Sequence, residues 1–333
     1  MTKLQSVARP KTPDNLQYEP VIIKQTQAMT ASFQILILGY GEMGHAMEYL
    51  LKDHHQLAIW NKFPNAGFSS AVIEESAPHA DIVLFCLPVN PHQEVVQQIA
   101  PLLKKTCLCV SIAKGLDETG KTAAQIFAQN LAENQPYALL YGPMISEEIR
   151  TGRYAFGQLG CRDLAAFQTM EACFCHTKLY ITHTFDITGI SWSVILKNVY
   201  AMAFGMADEL KLGDNVRGYL AVAALQELSQ IVRTLGGQVD SPYHLAGLGD
   251  LITTATSESS HHHELGRKLA RDETQDISGE GPHTLKMINQ YQLFNTQNFH
   301  LFQLINAIVR NPHEVSLKFD DYLGRIYERQ CKN

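Results

Sequence analysis

Two lysines and an aspartate stand where proton chemistry could be done. Lys114 lies in Ala113-Lys114-Gly115-Leu116 and Lys197 in Leu196-Lys197-Asn198-Val199; Asp250 opens Asp250-Leu251-Ile252-Thr253-Thr254 after Gly247-Leu248-Gly249. Val194, Ile195, Leu196 and Val199 surround Lys197, so a helix through it carries one ammonium among apolar side chains. Burial moves a lysine pKa toward neutral, which suits a group that exchanges a proton with a carbonyl. Asp250 offers the counter-charge that would orient it. Taken singly, each lysine reads as an ordinary surface cation; their order along the chain gives them weight.

A second signal precedes them. Gly39-Tyr40-Gly41-Glu42-Met43-Gly44 follows the apolar run FQILILG (33–39) and leads into a helical segment. In that context the pattern predicts a dinucleotide turn. Gly39 permits the tight bend, Gly41 lets a pyrophosphate approach the backbone, and Gly44 packs helix on strand. The helix start then offers N–H groups to phosphate. The next apolar run ends Ile59-Trp60-Asn61-Lys62, an amide and a cation where NAD-selective sites place a carboxylate. Lys62 suits the 2′-phosphate of NADP, with NAD and a plain surface lysine as the alternatives. Glu42 would oppose a pyrophosphate unless it turns outward.

The stretch SESSHHHELG (257–266) sets three histidines side by side. Helical neighbours point about 100° apart, so they cannot all face one metal ion. The expectation is a helix start with an altered anion or substrate site, or a solvated surface, and no metal.

The elements that must position these groups follow from periodicity. FQILILG, QLAIWNK (56–62), DIVLFCLP (81–88), CLCVSIA (107–113) and YALLYGP (137–143) are strand-length and nearly all apolar. Alternating with helical segments, they predict a parallel sheet covered on both faces. Beyond about residue 186 the period becomes helical, in SWSVILKNVYAMAFGMADEL, NVRGYLAVAALQELSQIVRTLGG, LFQLINAIVR and KFDDYLGRIYE. The fold class is α/β: a Rossmann-type parallel-sheet domain (32–186) followed by an all-helical domain (187–333). Residues 1–31 read as a mobile extension.

The 333 residues are 45% hydrophobic and 18% charged, a globular composition of two-domain length. A net charge of −6 excludes a basic field for nucleic acid. No apolar run is expected to span a bilayer, and the N-terminus has no secretion pattern. The seven cysteines, at 86, 107, 109, 161, 173, 175 and 331, fit no zinc spacing and read as buried free thiols in a reducing cytoplasm.

Together GYGEMG, AKGLDETG, GPMISEEI, FDITG, LKNVYAMAFGMADELKLGDN, AGLGDLITT and GEGPHTLK make the chain resemble the NAD(P)-dependent glycerol-3-phosphate dehydrogenases, almost continuously from about residue 33 to 290. The resemblance implies NADP or NAD as cofactor, dihydroxyacetone phosphate as the small-molecule substrate, and a homodimer. It assigns Lys197 as proton acceptor and Lys114 to substrate and cofactor. Asp250 and Thr254 join the catalytic and substrate pocket, with Gly142 beside the substrate. Tyr40, Met43, Ser146 and Glu280 fall near the cofactor.

Three departures stand against it. The family's phosphate-holding Ser-Arg-Asn-Arg is here Ser260-His261-His262-His263, and Met144 replaces a hydroxyl residue near substrate. The interval from Lys62 to Asp81 is also short, which implies a trimmed β–α unit. Histidines in an anion site would grip a phosphate only when protonated. An unphosphorylated substrate, or a non-catalytic nucleotide sensor, is therefore the alternative, although retention of the lysine–aspartate set argues against the sensor.

Overall fold

The computed structural model describes residues 32–332 apart from 65–67, 258, 259, 274 and 276; the expected mobile extension 1–31 lies outside the described residues. Seven strands form one sheet: β1 Gln34–Leu38, β2 Gln56–Trp60, β3 Ile82–Phe85, β4 Leu108–Ser111, β5 Tyr137–Tyr141, β6 Ala155–Cys161 and β7 Leu179–Thr184. Between them run α1 Glu42–Leu51, α2 Ile73–Ser76, α3 His92–Ile99, α4 Ala123–Asn130, α5 Ser146–Arg150 and α6 Leu164–Phe174. Helices follow: α7 Ile187–Glu209, α8 Asp214–Thr234, α9 Asp250–Thr256, α10 His261–Ala270, α11 Glu280–Tyr291, α12 His300–Arg310 and α13 Val315–Lys332.

The strand order is β2-β1-β3-β4-β5-β6-β7, and every pairing is parallel except β5 with β6. Leu36, Leu38, Val83 and Phe85 bury into one core, Ile35, Ile37, Ile82 and Leu84 into the other, because alternate residues leave a strand on opposite faces. Both faces are covered, hence the continuous apolar runs. The chain leaves β1 toward β2 and returns to β3 on β1's other side, so the order reverses between β1 and β3. In open α/β sheets the crevice at that reversal, beyond the carboxyl ends of the strands, takes the ligand.

Three expectations need correction. β6 and β7 were not anticipated: AFGQLGC carries two glycines and an interior glutamine, and LYITHT alternates without an apolar run. Cys175 is exposed, unlike the buried Cys107, Cys109, Cys161 and Cys173; the Cys331 side chain lies outside the described residues. Among its described residues, the short interval after β2 holds the four-residue α2 and a 3-10 turn.

The third correction concerns α7. It is long and apolar enough to cross a membrane by length and composition, yet 94% of its apolar window is buried within the protein. A helix apolar on all sides is what the centre of a helical region requires. α10 crosses α7 at two glycines. An added Cβ would sit 1.9 Å from the His263 carbonyl oxygen at Gly205, and 2.1 Å from that of Met202 at Gly266. The two backbones therefore touch, and α10 is held fast against the helix that bears Lys197.

Candidate active site

Lys114 leaves the end of β4, Lys197 projects from the middle of α7, and Asp250 and Thr254 lie one turn apart on α9. A single-turn π segment, Leu245–Gly249, leads into α9; such turns concentrate at functional sites. Asp250 joins the two lysines. Its Oδ2 accepts from Lys114 Nζ at 2.7 Å, and its Oδ1 lies 3.3 Å from Lys197 Nζ. Lys197 also donates to Thr254 Oγ1 at 2.6 Å, and that hydroxyl donates to the Asp250 carbonyl at 2.7 Å. Lys114 reaches the Gly142 carbonyl at 3.4 Å. Thus Lys114, Gly142, Lys197, Asp250 and Thr254, spread over 140 positions of sequence, meet in one place.

Burial sets the electrostatics. Lys197 is 4% exposed, and burial pushes its ammonium down to about 8; Asp250 resists that shift and Lys114 adds to it. Burial also opposes the charge of Asp250, but Lys114 and Lys197 outweigh it and hold the carboxyl below its usual range. Glu280 is raised by burial, partly offset by the same lysines. A lysine poised near neutrality beside a fixed carboxylate can both give and take a proton.

A cleft of about 370 Å³ opens against this group, lined by Gly41, Glu42, Met43, Leu87, Pro88, Ala113, Lys114, Met144 and Glu280 among others. Its walls fit a dinucleotide. Gly39 has φ +96°, and an added Cβ would lie 2.7 Å from the Cys86 carbonyl oxygen; at Gly44 it would lie 2.2 Å from the Gly39 oxygen. At Gly41 it would meet nothing within 4 Å, and no side chain caps α1 there, leaving room and N–H groups for phosphate. Glu42 does turn outward, 3.4 Å from Arg150, while Ser146 donates to the Glu42 carbonyl at 2.6 Å. Tyr40 stacks on Phe68 and bonds Glu48 with its hydroxyl, so its side chain is committed along α1.

Asn198 is a residue that sequence reasoning did not single out. Its Nδ2 donates to Glu280 Oε2 at 2.7 Å, while its buried Oδ1 has no partner among the described residues. The neighbouring position in Lys197-Asn198 was the available signal.

Lys62 is half exposed and lies 3.3 Å from Glu94. If it also meets a 2′-phosphate, NADPH binds more tightly than NADH, by no more than about fivefold for an exposed charge contact. Lys62→Ala then removes most of that preference, as does added salt. Fluorescence titration of both nucleotides checks it, and equal wild-type affinities refute it.

The three histidines part company. Ser260 caps α10 by accepting from the His263 N–H at 3.3 Å. His263 is buried with Nε2 2.8 Å from Asp208, which Arg217 also engages. His261 is exposed. His262 turns inward, its Cδ2 3.3 Å from where a Gly281 Cβ would stand, and burial helped by Lys197 pushes its pKa down to about 3. The neutral ring is therefore favoured in the absence of a bound anion. The expectation that His261 and His262 act together as protonated anion ligands meets an opposing influence at His262, where burial and then Lys197 disfavour the charged ring.

A nucleotide cleft at the sheet's reversal point, ending on a buried lysine–aspartate group, defines a dinucleotide-dependent oxidoreductase architecture. Residues 61–166 match the N-terminal and 186–318 the C-terminal family model of NAD-dependent glycerol-3-phosphate dehydrogenase. A curated glycerol-3-phosphate dehydrogenase (NAD(P)+) of Trichormus variabilis is 31% identical over 263 residues, covering 78% of this chain and 84% of the relative. One from Thermosynechococcus vestitus is 29% identical over 286 residues, covering 83% and 91%. The crystal structure of glycerol-3-phosphate dehydrogenase from Coxiella burnetii shares the fold at a TM-score of 0.75 and 22% identity, over 88% of this chain and 99% of that one. The chain belongs to the NAD(P)-dependent glycerol-3-phosphate dehydrogenase family.

Proposed function

We propose that this protein is an NAD(P)-dependent oxidoreductase that interconverts a small ketone and its secondary alcohol, as its relatives do for dihydroxyacetone phosphate and glycerol 3-phosphate. The observation that carries the reading is Lys197, buried between Thr254 and Asp250 with its pKa brought to about 8. When bound, the reduced nicotinamide supplies the hydride. The chain's own residues do the rest. Gly41 and the start of α1 receive the pyrophosphate, and Glu280 with Asn198 closes the cleft's inner end. Lys197 gives its proton to the carbonyl oxygen during reduction and takes it back during oxidation. Asp250 and Lys114 hold that oxygen's partner in place. Residues 32–186 serve as the cofactor domain and 187–333 as the substrate domain, in a cytoplasmic homodimer.

A second reading, an unphosphorylated ketone, is favoured by one feature: the first turn of α10 presents an exposed His261 and a His262 whose charged form burial disfavours, where the family has arginine and asparagine. Arginine gives a permanent, forked phosphate contact worth about 1.5–3 kcal/mol, roughly 10- to 100-fold in affinity. His261→Arg is therefore expected to lower the KM for dihydroxyacetone phosphate by that order and leave an unphosphorylated ketone unchanged. NADPH oxidation against both ketones tests the two readings together. An unchanged KM for the phosphorylated ketone in the variant places His261 away from the phosphate.

A further inference from the structure

We propose that His92 is a positioning residue of this active site, bracing the two loops that form the inner wall of the nucleotide cleft. His92 opens α3 and is fully buried, packed 5.2 Å from Phe85 and 6.0 Å from Phe127 between ring centroids. Its Nδ1 lies 2.8 Å from the Pro88 carbonyl oxygen and its Nε2 2.9 Å from Ser111 Oγ. A carbonyl can only accept, so Nδ1 carries the proton and Nε2 must accept from the serine hydroxyl. Ser111 Oγ in turn accepts from the Ala113 N–H at 3.1 Å, and the Ala113 carbonyl accepts from Tyr141 Oη at 2.9 Å.

Donation runs from the Ala113 N–H through Ser111 and His92 to the Pro88 carbonyl, while the Ala113 carbonyl, in the peptide before Lys114, accepts from Tyr141. Pro88, Ala113 and Lys114 all line the cleft, and Lys114 goes on to Asp250. One imidazole thus couples the loop after β3 to the loop after β4. Burial pushes its pKa down to about 4, so the neutral form needed to accept from Ser111 persists over the working range. A serine–histidine pair also suggests a nucleophile and its base. Both residues here are 0% exposed, so no substrate can reach the hydroxyl.

A packing role and a positioning role for His92 differ measurably. His92→Phe fills the space without either bond, Ser111→Ala removes the hydroxyl alone, and His92→Gln keeps a donor and an acceptor. Each variant is titrated with NADPH by fluorescence and assayed per folded molecule. His92→Phe and Ser111→Ala are each expected to raise the NADPH Kd about tenfold and to lower kcat about tenfold, while His92→Gln stays within about threefold of wild type. The binding titration needs no turnover, so it stands whichever ketone the enzyme takes. Ser111→Ala keeps the test open if His92→Phe fails to fold. Wild-type Kd and kcat per folded molecule in His92→Phe or Ser111→Ala, with only the melting temperature lowered, would make His92 a packing residue and overturn the proposal.

Discussion

Lys197→Ala is expected to lose ketone reduction by at least 10²–10⁴-fold, the range for removing a general acid–base group, with NADPH affinity nearly unchanged. In the proposed mechanism the residue handles the proton, and it is not among the residues that line the cleft, whose walls include Gly41, Met43 and Leu87. Alanine also removes a buried cation, which relieves a desolvation cost and leaves Asp250 paired with Lys114 alone. The variant should consequently fold. Initial rates together with a fluorescence titration separate the two effects. Wild-type turnover would eliminate Lys197 as the proton carrier.

Asp250 carries the second large effect. It is 3% exposed and is the carboxylate that contacts both lysines. Removing one partner from a buried ion pair costs about 3–5 kcal/mol, because the other charge stays buried without compensation. Here the cost is reduced, since Lys114 is 21% exposed in its side chain and Lys197 can shed its proton. Asp250→Asn keeps the shape but not the charge. Its loss removes what holds the Lys197 pKa up, so that pKa falls below about 8. Lys197 is then less protonated at pH 7 and donates less readily. Reduction should drop by about tenfold or more at pH 7 and recover on acidification. A pH series of initial rates reads this directly; an unshifted profile would show that Asp250 does not govern Lys197.

The strands β1 and β3 to β5 were legible because a buried parallel strand must be apolar on both faces; β2, a partly buried edge strand, showed by its apolar run alone. β6 and β7 were not. Gly157 and Gly160 in β6 leave room for the Leu140 and Ile190 side chains, and β7 is an edge strand with half-buried positions. Both needs are tertiary and leave no period in the sequence. Lys197 could be singled out because a charge among apolar neighbours is visible locally; Lys114 and Asp250 took their weight from their order along the chain and from the resemblance, and the meeting of the three left no local mark. His92 and Ser111, 19 residues apart on a helix and a strand, carry no local mark of their bond. The histidine run showed a helix start but not its divided directions, which depend on the backbone contact between α7 and α10.

The most direct test of the central claim is the pH dependence of kcat in both directions, with dihydroxyacetone phosphate and NADPH for reduction and glycerol 3-phosphate and NADP for oxidation. Reduction requires Lys197 protonated, so its rate should fall as pH rises through about 8. Oxidation requires Lys197 neutral, so its rate should rise through the same pH. Opposed limbs crossing near that value, both absent in the residual activity of Lys197→Ala, are the predicted result. Parallel or flat profiles in the two directions would contradict proton transfer by Lys197.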